Sequence, residues 1–259
     1  MPNKNWIKIE QHAFEKAQWH WITKLIYGFL AGFFVGIGYT AMLVIEKKLT
    51  GGADDALTKF FGSLIFCTGI VMCMFVGANL FTGNCAVYAP VITNRISRKC
   101  FYLDLLLTFV GNYIGSITIV LFIWAIGILD KEAQSKAMEV AIAKIQLDWY
   151  KTFLSGIITN VLVVGTVICI NVFDNKLIGF FATLLMITAF AICGFQHVVA
   201  NMYITTLGGL LGIFNGNSQL VGQLFYNCLL MSLLGNFAGG VLLTLCYYLS
   251  WDELNKNKE

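Results

Sequence analysis

His197 is the residue whose type and position point most directly to chemistry. It lies in the stretch Gly194-Phe195-Gln196-His197-Val198-Val199-Ala200-Asn201, and no Asp, Glu, Lys or Arg occurs between Leu177 and Trp251. An imidazole in so long an apolar run is costly to charge and needs hydrogen-bond partners even when it is neutral. We therefore predict a functional histidine. The alternative is a neutral histidine that ties two helices together.

A second polar stretch interrupts another apolar run. Residues 60–94 carry no charged side chain, and one straight helix of this length would measure about 50 Å, too long for a single membrane crossing. Gly77-Ala78-Asn79-Leu80-Phe81-Thr82-Gly83-Asn84 lies in the middle of the run. The pattern predicts two half-helices joined within the membrane, where irregular backbone is tolerated only if protein or a water-filled cavity surrounds it.

The composition identifies lipid as the solvent. Hydrophobic residues make up 58% of the chain, charged residues 12%, and the mean hydropathy is +0.75. No soluble domain of this length hides so much apolar surface, so an all-α membrane protein in a lipid bilayer is predicted. The net charge of +3 is small and no basic stripe occurs, so nucleic acid is not an expected partner. The eight cysteines are scattered singly, so neither a metal site nor a cofactor is predicted.

The charge pattern divides the chain into three regions. Residues 1–23 are expected to form an amphipathic helix at the membrane surface, residues 24–251 six transmembrane helices, and residues 252–259 a cytoplasmic tail. A mixed-charge loop is expected at 130–151 and a glycine-rich connection at 208–222. Placing the basic residues of 95–99 inside predicts a multi-pass protein of the cell membrane with both termini cytoplasmic. The apolar face expected on the first helix comprises Trp6, Ile9, Ala13, Ala17 and Trp21.

An internal repeat relates the two halves of the apolar region. LLLTFVGNYIGS at 105–116 aligns with LLMSLLGNFAGG at 229–240, and GANLFTGN at 77–84 aligns with GFQHVVAN at 194–201. In the first helix of each half, Gly28 falls over Gly156. Two halves of three helices must have opposite topology because three is odd. The sequence thus predicts an inverted 3+3 repeat, aquaporin-like, with broken second and fifth helices.

These motifs resemble the formate/nitrite transporter family of pentameric anion channels. GFQHVVANMYI at 194–204 resembles the family's central histidine motif, and ANLFTGN at 78–84 resembles the loop in its second helix. Ala143-Lys144, with Asn160 sixteen residues later, and Gly235-Asn236 resemble motifs near the fourth helix and in the sixth. The match extends over the whole chain and implies a homo-oligomer, most simply a pentamer, with one pore per subunit.

The resemblance also implies which residues meet the substrate. Lys144 would attract anions to an outer funnel, and Leu80 would form an inner constriction. The outer constriction would comprise Phe66, Ile70 and Phe190, and the centre of the pore would be lined by His197, Thr82, Asn160, Asn201 and Asn236.

Two positions depart from the family pattern. Many members have an acidic residue before the histidine and another before the Leu-Phe-Thr triplet, whereas this chain has Gln196 and Asn79. Amides keep the hydrogen-bonding capacity of the acids but lack the charge that could hold the histidine protonated. The protonation state of His197 is therefore expected to depend more on the substrate.

The predicted function is a channel for small monovalent anions of weak acids, in the class of formate, nitrite and hydrosulfide, coupled to protons through His197. A small anion is too costly to desolvate to cross an apolar constriction bare, whereas its neutral acid can cross. One alternative is an aquaporin-like channel for neutral solutes, although no Asn-Pro-Ala occurs in the broken segments. Another is a channel for larger monocarboxylates such as acetate or lactate. An enzyme is disfavoured, because only one histidine lies at membrane depth.

Overall fold

A computed structural model describes residues 2–49, 55–173 and 175–256, and every regular element in these ranges is a helix. Residues 257–259 of the tail assigned to 252–259 lie outside the described part, and residues 252–256 continue the last helix. The helices are α1 (Pro2–Ala17), α2 (Trp21–Leu49), α3 (Asp55–Met72), α4 (Phe81–Asn84), α5 (Ala89–Ile92), α6 (Arg98–Ala125), α7 (Lys131–Gln146), α8 (Trp149–Val172), α9 (Lys176–Ile192), α10 (Val198–Phe214), α11 (Gln219–Gln223) and α12 (Met231–Lys256).

Five stretches of helix are long and apolar enough to cross a membrane. They are Trp21–Lys47, Ala56–Gly77, Arg98–Ala125, Trp149–Val172 and Gln219–Glu253. The fifth apolar segment of the sequence consists of two shorter helices, α9 and α10, of 17 residues each. The expected all-helical membrane fold with two interrupted segments is confirmed, and the count of six crossings stays a prediction.

Glycine pairs bring α2 close to α6 and α8 close to α12. A Cβ built on Gly28 would lie 3.2 Å from the Cα of Gly111, and one built on Gly156 would lie 3.2 Å from the Cα of Gly235. Such close approach of two backbones is possible only where neither residue carries a side chain. Because these are equivalent positions of the two halves, the predicted repeat is confirmed in the packing.

The interruptions in the second and fifth segments begin alike. After α3 a π-helical turn ends at Gly77, and α9 is followed by a turn that contains Gly194. Both glycines have a positive φ, +107° and +68°, a conformation that side chains disfavour. The extended backbone after each glycine leads into a new helix, α4 or α10.

Asn236 fixes the backbone of the fifth segment where it is interrupted. Its Nδ2 donates to the carbonyl oxygens of Gly156 and Gln196, both at 2.8 Å, and its Oδ1 accepts from the backbone N–H of Val198 at 2.7 Å. The carbonyl of Gln196 and the N–H of Val198 belong to the interruption, and Gly156 is a residue of α8 against which the interruption is anchored. The asparagine therefore satisfies buried backbone groups that could not be left unpaired in the membrane.

Asn112 does the same for the second segment. Its Nδ2 donates to the carbonyl oxygens of Gly28 at 2.8 Å and Asn79 at 2.9 Å, and its Oδ1 accepts from Phe81 N at 2.9 Å. Every partner occupies the position equivalent to a partner of Asn236. The Gly-Asn pair that the two halves share is thus the means by which each interruption is held.

Helix α1 is shorter than the sequence suggested, and its apolar face is covered by protein. The helix ends at Ala17, and Trp21 belongs to α2, where its side chain is 53% exposed. Trp6 is buried, with ring centroids 5.4 Å from Tyr248 and 6.1 Å from Trp251. The face expected to lie on the bilayer is buried against protein, with Trp6 on α12 and the helix also in contact with α5, α8 and residues 85–88.

Helix α7 replaces the loop expected at 130–151. Its buried side is a stripe of alanines, Ala133, Ala137 and Ala141, and Asp130 caps it by accepting from Ala133 N at 3.0 Å. This helix could not be recognised from the sequence, because charged residues lie between the alanines. Small residues spaced by four indicate a closely packed helix face only when the helix that packs against them is known.

The connection expected at 208–222 is also shorter than predicted: α10 continues to Phe214 and α11 begins at Gln219.

Candidate functional site

His197 is the N-cap of α10. The residue is 1% exposed, and its Nδ1 accepts from the backbone N–H of Ala200 at 3.1 Å. Because Nδ1 accepts, a neutral ring carries its proton on Nε2. That nitrogen lies 3.1 Å from Oγ1 of Thr82, so the imidazole donates to the threonine hydroxyl.

Thr82 brings the other interruption to the same point. It lies in α4, directly after the irregular backbone of the second segment, and is fully buried. The contact between Thr82 and His197 therefore joins the two interrupted segments at the centre of the protein. Because Oγ1 accepts from the imidazole, the threonine's own hydroxyl hydrogen can be donated to another acceptor.

Aromatic rings close the space on one side of His197. The Phe190 ring stacks on the imidazole with centroids 5.6 Å apart and an interplanar angle of 19°, and Phe66 meets Phe190 edge to face at 5.9 Å. Ile70 lies one helical turn from Phe66 on α3 and is fully buried, and Leu80 is buried at the other interruption. Of the apolar residues that the sequence assigned to constrictions, Phe190 is in ring contact with the histidine and Phe66 is in ring contact with Phe190.

Beyond these rings a cavity of about 440 Å³ opens on the side of α7. Its lining includes His197, Phe190 and Phe66 together with Lys144, Gln196 and Asn201. The lining also includes two acids and two further lysines, Glu46, Glu139, Lys59 and Lys136. The formal charges of these four residues cancel, and Lys144 is the lysine of the lining that bonds to Gln196, the neighbour of His197.

Lys144 contacts the interruption directly. Its Nζ donates to Oε1 of Gln196 at 2.8 Å, and the same oxygen accepts from Nδ2 of Asn201 at 3.2 Å. Asn201 Nδ2 also donates to Ser232 Oγ at 2.9 Å. Burial lowers the pKa of the Lys144 ammonium below its usual value. Because the oxygen that holds it belongs to a neutral amide, that contact leaves the charge of the ammonium uncompensated.

Lys16 has the position equivalent to Lys144 on the opposite side of His197, and the sequence analysis did not identify it. Its Nζ donates to Oδ1 of Asn84 at 2.8 Å, and Asn84 is the repeat equivalent of Asn201. Burial lowers the pKa of Lys16 to about 8. The cavity beside it measures only about 10 Å³, because α1 packs over this side. Lys16 precedes Lys144 by 128 positions, the spacing of Gly28 and Gly156, and that spacing could have identified it.

Asn160 and Asn236 lie behind the interruption of the fifth segment. Asn160 Nδ2 donates to the backbone carbonyl of Asn236, and the Asn236 amide is engaged by main-chain groups at both of its ends. Neither residue lines the cavity on the α7 side. The structure brings together His197, Thr82, Phe66 and Phe190 at the centre and Lys144 with Asn201 above them, whereas the pore-lining role of Asn160 and Asn236 stays a prediction.

The fold and site define a class: a multi-pass membrane channel or transporter with two interrupted segments that meet at a buried histidine. The sequence profile of the formate/nitrite transporter family matches residues 4–250, so the chain belongs to that family.

Named relatives agree with this assignment. The chain is 25% identical over 275 residues to a formate-nitrite transporter of Plasmodium malariae, which covers 97% of this chain and 86% of the relative. It is 28% identical to a probable formate transporter of Methanothermobacter thermautotrophicus, with 86% of each chain covered. A solved pentameric formate channel with formate bound superposes with a TM-score of 0.78 at 22% identity, covering 89% of this chain and 97% of the other. Its likeness shows the shared fold.

Proposed function

We propose that the protein is a channel for small monovalent anions of weak acids, such as formate, nitrite or hydrosulfide, which moves a proton with the anion. The observation that carries the proposal is the Nε2–H of His197 donated to Thr82 beside the Phe190 ring, with Lys144 on one side and Lys16 on the other. Relatives named as formate transporters support the substrate class.

The lysines concentrate anions at the two ends of the route. An ammonium at the bottom of a narrow cavity raises the local concentration of anions, since the surrounding protein screens it less than water does. Lys144 performs this role from the 440 Å³ cavity, and Lys16 performs it from the side that α1 covers. With the basic residues of 95–99 inside, the α1 side faces the cytoplasm and both termini lie there.

His197 and Thr82 exchange the proton. An anion at the Thr82 hydroxyl takes the Nε2 proton while Nδ1 gains one from a hydronium ion of the cavity water, which becomes water, so the ring ends neutral and the substrate leaves as a neutral acid. To gain that proton, Nδ1 must release the backbone N–H of Ala200. The neutral acid then passes the Phe190 and Phe66 rings at a far smaller desolvation cost than the anion.

Flux in proteoliposomes tests the proposal. Vesicles that contain the protein should swell rapidly in formate and not in glycerol, because glycerol has no charge for the lysines to attract and no need of a proton. Uptake of labelled formate, nitrite, hydrosulfide, acetate and lactate at two pH values would then rank the substrates. Equal permeation of glycerol and formate would instead identify a channel for neutral solutes.

A homopentamer is expected in mild detergent. The family includes a solved pentameric channel, and α6 presents a row of exposed apolar side chains, Leu106, Ile114 and Leu121, which must be covered by lipid or by a neighbouring subunit. Native mass spectrometry should give five times the 28.8 kDa mass of the chain. A monomeric or dimeric mass would contradict the prediction.

Phe190→Ala should widen the constriction next to His197 and admit larger anions such as lactate. The substitution removes the ring that stacks on the imidazole and that Phe66 contacts. Uptake of formate and lactate, normalised to folded protein, measures the change. Phe181→Ala, on the exposed side of the same helix, is the matched control. Unchanged selectivity in Phe190→Ala would remove this residue from the pore.

Lys144→Glu should reduce anion flux at low substrate at least about tenfold, because the cation that concentrates anions becomes an anion. Wild-type flux should also fall as salt rises, since charges that face water are screened over ~8–10 Å. Lys131→Glu changes the net charge equally at the start of the same helix and should have little effect. Salt-insensitive flux, or equal effects of the two substitutions, would make Lys144 an ordinary residue of α7.

A further inference from the structure

A buried ion pair lies beside the route on the α1 side. Oδ1 of Asp104 on α6 is 2.8 Å from Nζ of Lys24 on α2, and the Asp104 side chain is 0% exposed. Two charges in such a place are costly to desolvate unless every polar atom finds a partner. Ionisable groups inside a membrane protein are therefore expected near functional sites. The other contacts of Asp104 and Lys24 connect this pair to Lys16.

Both members of the pair are connected to Lys16. Asp104 Oδ2 accepts from Asn84 Nδ2 at 2.7 Å, and Asn84 Oδ1 accepts from Lys16 Nζ at 2.8 Å. Lys24 Nζ donates to the carbonyl of Ala17, the last residue of α1 and the neighbour of Lys16, at 2.9 Å. The pair thus holds Lys16 in two ways, through the amide that receives its ammonium and through the end of the helix that carries it.

The carboxylate also decides how the Asn84 amide points. An amide can present either its oxygen or its NH₂ group to a neighbour, and only the oxygen can receive an ammonium. Asp104 accepts from the NH₂ group, as Thr108 Oγ1 does at 3.0 Å, so the amide oxygen is left for Lys16.

The other half of the repeat lacks an equivalent ion pair. The positions equivalent to Asp104 and Lys24 are Cys228 and Thr152, so no ion pair can form there. Lys144 is held by Gln196, whose longer side chain reaches the ammonium directly. The two lysines of the route are therefore positioned by different means, and only the one on the α1 side depends on a carboxylate.

Several ionisable groups lie near Lys16. His12 lies one turn earlier on α1, Asp104 of α6 is linked to the ammonium through Asn84, and Lys24 and Cys100 both contact the carbonyl of the next residue, Ala17. Burial lowers the pKa of Lys16 to about 8, and the charge of Asp104 opposes that decrease. Asp104 is the carboxylate in this group, so its removal lets Lys16 lose its proton at a lower pH.

We propose that Asp104, paired with Lys24, is a positioning residue for anion capture on the α1 side, where it orients the Asn84 amide and keeps Lys16 fixed and charged. This inference rests on the proposed function. In this inference Asp104 acts through Asn84 and Lys16 and does not contact the substrate.

Side-resolved flux measurements with two variants test the inference. Asp104→Asn removes the carboxylate. Lys24→Gln combined with Asp104→Asn removes both charges, so no unpaired ammonium is left if the single variant fails to fold. Proteoliposomes are sorted by the accessibility of an N-terminal tag, which marks the α1 side, and formate is presented to either side over pH 6–9. Cys228→Ser, at the equivalent position of the other half, is the matched control.

In both variants the half-saturating formate concentration on the α1 side should rise about three- to tenfold. In Asp104→Asn the alkaline loss of flux should move about one pH unit lower, and in the double variant it should move less, because the Lys24 charge is removed as well. The half-saturating concentration on the α7 side should stay within about twofold of wild type. Equal effects on both sides, no shift in the pH profile, or loss of folded protein in both variants would overturn the inference. Absence of formate flux in the wild-type protein would instead overturn the proposed function.

Discussion

Asn236→Leu should abolish the folded channel. The substitution leaves the carbonyl oxygen of Gln196 and the N–H of Val198 without partners in the protein interior and removes the bond to the Gly156 carbonyl. Each buried group left unpaired costs about 1–3 kcal/mol, so the two together cost roughly 2–6 kcal/mol. That approaches the whole stability of an ordinary domain, ~5–15 kcal/mol. The yield of monodisperse protein and its melting temperature in detergent measure the effect.

Two further substitutions test whether the loss of stability comes from the interrupted backbone. Asn112→Leu should be as damaging, because Asn112 makes the equivalent three bonds in the second segment. Leu242→Ala, on the exposed side of the same helix as Asn236, should leave the melting temperature nearly unchanged. If Asn236→Leu melts at the wild-type temperature, the bonds to the interrupted backbone contribute little to stability.

The interruptions could be predicted from the sequence because their causes are local. Charge-free runs too long for one crossing, a glycine followed by polar residues, and a second copy of the same pattern are all visible in the chain. The shared Gly-Asn pairs at 111–112 and 235–236 were found in this way. The role of these asparagines could not be predicted, because an asparagine in a membrane helix is equally suited to line a pore and to bind backbone groups. The three main-chain bonds of Asn236 become visible only when the helices are packed.

The residues missed by the sequence analysis depend on contacts between distant segments. Lys16 lies in a polar helix that sequence reasoning assigned to the membrane surface, and its role follows only from the contact with Asn84. Asp104 lies just before the apolar run that begins at Leu105, where it looks like the end of a loop, yet it is fully buried. A lysine can reach several acceptors, and the acceptor it uses is decided by tertiary packing.

The central histidine combines a structural task at Nδ1 with a chemical task that uses both ring nitrogens. Nδ1 caps α10 by accepting from Ala200 N, and Nε2 faces Thr82. Proton exchange at Nε2 requires the ring to titrate, whereas capping requires only an acceptor atom at Nδ1. An asparagine provides such an acceptor, since it is a favoured N-cap residue, and it does not titrate. The two tasks can therefore be separated by one substitution.

His197→Asn should leave the protein folded and reduce proton-coupled formate flux about a hundredfold, the usual scale for loss of a positioned proton donor. The asparagine retains the cap of α10 but cannot pass a proton to an anion at Thr82. Formate uptake driven by a pH gradient measures the loss, and the anion current without a gradient can persist, because both lysines remain. His20→Asn, which changes an exposed histidine, is the control. If His197→Asn transports at the wild-type rate with the same pH profile, the histidine is structural.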